Sequence, residues 1–177
     1  AVARHNLGVA LRLRGEVRAA RELQAKAAEE AAGLGHVRLA SVVATERVYL
    51  ALTDTEHEDV LGELARAALV AAEASGAALL MDSARAVAAR VAGRAGAVQD
   101  GALAELRARA QAAEGALLRL ELFAALCELS AHQPEDRRAF FEALDATVAG
   151  VAEEDRESCR GALLRRFLAH DRSPERG

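Results

Sequence analysis

Five histidines, His5, His36, His57, His132 and His170, are the first candidates for metal or proton chemistry in this chain. A helical metal site needs two ligands on one face, four residues apart, and no two of these histidines have that spacing. None has a cysteine nearby. The run Asp54-Thr55-Glu56-His57-Glu58-Asp59 is rich in oxygen and nitrogen donors, but it lacks the alternating spacing and central glycine of a calcium loop. An acidic helix start, favoured by the helix dipole, is the better account. Glu29/Glu30 and Glu153/Glu154/Asp155 are sequence neighbours that point to different helix faces, so they do not form an acid/base pair. Cys127 and Cys159 stand 32 residues apart with no CxxC pair, which reads as reduced packing thiols. No glycine-rich phosphate loop or nucleophile elbow occurs, and nothing in the sequence sets a histidine in catalytic geometry to Ser41, Ser75, Ser83, Ser130 or Ser158. The expectation is no enzyme, no metal and no cofactor.

Arginine is the abundant functional group. There are 22 arginines against one lysine, Lys26. A guanidinium holds a carboxylate through two parallel hydrogen bonds, which is recognition chemistry rather than catalysis. Nucleic acid is a poor partner for a chain of net charge −4 with 3% aromatic residues. The basic pairs Arg137/Arg138 and Arg165/Arg166 are offset by Glu135, Asp136 and Glu153 to Asp155. Residues 1–35 carry six Lys/Arg and four Asp/Glu, whereas 41–63 carry six carboxylates against Arg47 alone.

The elements that must position these groups are helical. The 177 residues include 45 alanines, no isoleucine, no tryptophan and two prolines, a composition that excludes an all-β fold and disfavours a parallel sheet. No apolar run is long enough to span a membrane and no secretory signal opens the chain; reduced Cys127 and Cys159 set the expectation of a cytoplasmic place. Apolar spacing of three and four predicts helices near 2–14, 16–33, 36–53, 56–75, 78–94, 100–114, 116–131, 135–150 and 154–170. The expected inward stripes are Val17/Ala20/Ala27/Ala31, Val60/Leu64/Ala67/Ala68/Ala71, Phe140/Leu144/Val148 and Cys159/Leu163/Phe167. Leucines cover more than one face of 116–131, so that helix should lie between layers. Expected helix-start signals are the Thr55-x-x-Glu58 capping box, Asp100 as a cap and Pro134 in a first turn. Gly35, Gly76 and Gly115 follow alanine-rich helices at intervals of 41 and 39 residues, the signature of stacked helix pairs.

In residues 1–34, Asn6-Leu7-Gly8, Ala10, Leu11, Gly15, Ala20 and Ala27 stand in the order and spacing of a tetratricopeptide repeat, and the segment resembles that family. Arg4 and Gln24 stand where the motif prefers aromatic residues, and no proline closes the repeat. Two further units, near 36–76 and 78–115, are progressively weaker. The spacing is similar to the longer repeats of kinesin light chain and of helical arms in large bacterial signalling regulators. The resemblance implies an all-α fold of antiparallel helix pairs stacked as a short right-handed α-solenoid of about nine helices. Residues 1–115 would supply three pairs, 116–170 would complete and cap the array, and 171–177 would fray.

The resemblance also implies a concave groove where a peptide or partner domain docks. On the first repeat it would be lined by Val2, His5, Val9, Arg12 and Leu13. A shift of one repeat gives Val43, Glu46, Leu50, Thr53 and Asp54, and a further shift gives Asp82, Arg85 and Ala89. Arg12 and Arg85 are the expected anchors, and solvated surface charge is the plainer reading of each alone. The functional expectation is a non-catalytic protein-interaction scaffold. The alternatives are a regulatory or sensor arm of a larger bacterial signalling protein, consistent with a chain that starts at Ala1 without methionine, or a self-association module forming a homo-oligomer.

Overall fold

A computed structural model describes residues 1–53, 58–96, 101–130 and 133–167, with Glu58, Arg165 and Arg166 described by backbone alone. The described residues form nine α-helices and one short 3-10 turn, without a strand. They are α1 (Val2–Leu13), α2 (Val17–Gly33), α3 (Val37–Thr53), α4 (Glu58–Ser75), α5 (Ala78–Arg94), α6 (Ala102–Ala112), α7 (Ala116–Leu129), α8 (Pro134–Ala149) and α9 (Arg156–Phe167), with the 3-10 turn at Glu153–Asp155. The chain is all-α and built from helical hairpins, as its alanine and leucine periodicity requires. Of the expected start signals, Pro134 is the first residue of α8, and Thr55 and Asp100 lie outside the described residues.

Two compact units divide the chain, Ala1–Ala102 and Leu103–Gly177. In the first, each helix packs on the next, and α3 additionally touches α1 and α5. Alternate helices thus form a rank of their own, α1 beside α3 beside α5. The turns that fold the first hairpins are set by glycine. At Gly15 (φ 85°) and Gly35 (φ 61°) the backbone enters the left-handed region that side chains disfavour. The next amides close each helix end: Glu16 N donates to Leu11 O and His36 N to Ala31 O, both at 2.9 Å, with Gly15 N donating to Arg12 O and Gly35 N to Ala32 O. His36 then starts α3, its Nδ1 accepting the amide of Leu39 at 3.2 Å. Gly115 differs from the expected hairpin glycine: it precedes α7 in extended backbone at φ −86°.

Small side chains let these helices approach closely. Ala27 and Ala31 of α2 pack on Leu39 and Val43 of α3. The expected α2 stripe is therefore buried at Ala20, Ala27 and Ala31, with Gln24 among them. In α4 the stripe is turned by one residue. Leu61, Ala65, Ala68 and Ala72 are buried, while Val60 is 41% exposed and Leu64 and Ala71 are half-buried. Both registers have helical spacing, and the observed one buries Leu61 and turns the small Ala65, Ala68 and Ala72 toward the neighbouring helices.

In the second unit, α8 packs on α7 and α9. Residues Leu120 to Cys127 are buried without interruption, so α7 has no solvent face along two turns. Phe140, Leu144 and Val148 form the buried stripe of α8, and Phe167 is buried at the end of α9. The bidentate pair of Arg107 with Asp136 joins α6 to the first turn of α8, at 2.8 and 2.9 Å from Nη2. No described helix is long and apolar enough to cross a membrane.

Candidate functional site

The rank α1, α3 and α5 carries the residues that the repeat spacing singles out. Near the end of α1, Arg12 turns inward and its Nε donates to Glu46 Oε1 on α3. One turn along α3, Tyr49 lies under two cations. The guanidinium carbons of Arg12 and of Arg90, from α5, each stand 5.5 Å from its ring centre. Arg12, Glu46, Tyr49 and Arg90 are 6, 3, 2 and 2% exposed. A buried pair that spans α1 and α3, with a ring shared between α1, α3 and α5, fixes the order of the three helices. Its chemistry is structural: the carboxylate accepts from a guanidinium, and the ring face attracts both cations.

A second polar lock joins α1 to α2. Gln24 Nε2 donates to the His5 carbonyl at 3.0 Å, which fixes the orientation of its amide. Gln24 Oε1 is then the acceptor facing His5 Nδ1 at 2.9 Å, so that ring nitrogen carries the proton. Gly8 makes this approach possible, because a Cβ there would stand 2.6 Å from Gln24 Nε2. Where the repeat motif prefers an aromatic residue, this chain closes its helix pair with a buried amide.

The sequence-derived groove residues divide accordingly. His5, Arg12, Glu46, Val43 and Leu50 are buried, so the exposed anchor expected at Arg12 is instead half of an interior ion pair. Arg12 and Glu46 meet, whereas His5 turns to Gln24. Val9, Leu13, Asp82 and Ala89 are half-buried, and Val2, Thr53 and Arg85 are exposed. Arg85 and Asp82 are neighbours on one face of α5, 3.6 Å apart. Asp54 lies outside the described residues. Tyr49 and Arg90 are not among the groove positions that the repeat spacing gives, and Gln24 stands out in the sequence only as a departure from the motif. Tyr49 is the only tyrosine, which is a signal of a kind, but nothing in the α5 pattern distinguishes Arg90 from its neighbours.

Across α3 from this rank lies a cleft of about 250 Å³ between α2 and α4. Arg21 and Ala25 line one side, Val60 and Leu64 the other, and Arg47, Leu50 and Ala51 of α3 lie between them. The one-residue rotation of α4 leaves Val60 and Leu64 here as walls. Among the described residues the lining carries two guanidiniums and no carboxylate.

In the second unit Cys127 is fully buried and its thiol is pushed up from 9.0 to about 12, first by burial and then by the negative charge of Asp136. It is a neutral packing group at neutral pH and no nucleophile. Cys159 is half-buried. Among the described residues, no three His, Cys, Asp or Glu side chains are grouped to hold a metal ion. No family model, curated protein or solved structure matches this chain.

Proposed function

We propose that the chain is a non-catalytic interaction scaffold of tetratricopeptide type, which holds a peptide or a partner domain on the face of α1, α3 and α5. One observation carries the reading: α3 touches both α1 and α5, so the three helices stand side by side in one rank. Beneath it the Arg12–Glu46 pair and Tyr49 fix the helices, so a partner meets a preformed surface. On it, Val9 and Leu13 offer apolar contact, while Thr53, Asp82 and Arg85 offer hydrogen bonds and charge. Two free cysteines accord with a reducing, cytoplasmic setting.

The test is selection of binders from a random peptide library on the purified chain, followed by affinity measurement on Arg85→Glu and Thr53→Arg variants. Both positions are exposed, so the fold should be unchanged by circular dichroism. Selected peptides should bind the variants roughly tenfold or more weakly, the effect of losing a charge-assisted hydrogen bond. A selection that enriches nothing, or peptides indifferent to both changes, would contradict the reading.

A further inference from the structure

We infer that the cleft between α2, α3 and α4 is a binding site for a small aliphatic carboxylate, with its alkyl chain on Leu50, Ala51, Val60 and Leu64 and its carboxylate on Arg47. The site lies away from the face proposed above for protein partners and does not depend on that reading.

Three observations converge on this chemistry. The cleft holds about 250 Å³, space for a ligand of a few carbon atoms rather than for a folded partner. Its apolar part is a continuous floor and wall from two helices, with Leu50 and Ala51 buried beneath and Val60 and Leu64 open to the ligand. Among the described lining residues its charge is of one sign. Arg47 is the only arginine or lysine between positions 41 and 63, a segment with six carboxylates, and it stands in this cleft. Its side chain is exposed and makes no ion pair or hydrogen bond with the described residues. Arg21 adds a second guanidinium to the lining. An apolar floor with a fork of N–H donors at its edge complements a molecule that joins an alkyl chain to a carboxylate. It does not complement an alcohol, which brings no charge, or an amine, which brings the wrong one.

The experiment follows methyl resonances of the full 177-residue chain during titration with hexanoate, 1-hexanol, hexylammonium and the blocked peptide acetyl-Ala-Leu-Asp-Ala-amide. Hexanoate should shift Leu50, Val60 and Leu64 saturably, with hexanol roughly tenfold weaker and hexylammonium without effect. Arg47→Gln should bring hexanoate down to the level of hexanol while leaving hexanol unchanged, which a loss of fold would not do. Equal shifts from all three small molecules, or none at these methyls, would overturn the inference. Tighter binding of the peptide than of hexanoate would overturn it too, by making the cleft a side-chain pocket for a protein. Each of these failures leaves the partner-binding face of α1, α3 and α5 untouched, since none involves Thr53 or Arg85.

Discussion

At the residue scale, two buried polar arrangements decide how much this chain tolerates. Gly8→Ala should gain about 1 kcal/mol of helix propensity, as any interior glycine replacement does. It should lose more, because the new Cβ displaces a fully buried amide that makes two hydrogen bonds to His5. An unsatisfied buried amide costs about 1–3 kcal/mol, so a net loss of up to about 2 kcal/mol is expected in a urea melt. In a Gln24→Ala background the same change should become stabilising. Destabilisation of equal size in both backgrounds would show that Gln24 is not what Gly8 accommodates. Cys127 gives a prediction in pH. Its folded thiol titrates near 12 and an ordinary one at 9.0, so the stability it contributes is complete below pH 9. As pH rises from 9 towards 12 only the unfolded thiol ionises, and stability falls by up to about 1.4 kcal/mol per unit. Unfolding of the native chain and of Cys127→Ala, compared at pH 8 and pH 10.5, should therefore show the gap between them narrowing. A gap independent of pH would refute the assignment.

At the element scale, the Arg12–Glu46 pair ties α1 to α3. Arg12→Met alone leaves a buried carboxylate without its cation and should cost about 3–5 kcal/mol. Arg12→Met with Glu46→Leu should recover most of that loss, because two apolar side chains replace two desolvated charges. Additive losses in this double-mutant cycle would mean that the pair does not couple the helices. The phase of α4 is equally open to test. Leu61→Ala should cost about 2–4 kcal/mol and Val60→Ala less than about 1 kcal/mol, as deletion from a core differs from deletion at a surface. The helix itself is legible in the apolar spacing of the sequence, but its phase is not. Val60/Leu64/Ala71 and Leu61/Ala65/Ala72 satisfy the same period, and only the packing partners choose between them.

At the scale of the whole molecule, glycine and alanine carry most of the legible information. Gly15 and Gly35 mark real hairpin turns because their left-handed backbone excludes other residues, whereas Gly115 marks only a helix start in extended backbone. The helices follow from composition and period. The candidate site is less legible. Spacing brought Arg12 and Glu46 into one set but gave no reason to expect them inside the fold, because burial of a charge depends on a partner contributed by another helix. Tyr49 and Arg90 meet only through the packing of α3 on α5. The cleft walls depend on the phase of α4 and are invisible in the sequence for that reason.

The most direct measurement is amide hydrogen exchange on the chain with and without a library-selected peptide. New protection should fall on α1, α3 and α5, around Val9, Leu13, Thr53 and Arg85, while α6 to α9 exchange as before. Protection confined to α6 to α9, or none anywhere at saturating peptide, would contradict an interaction scaffold built on α1, α3 and α5.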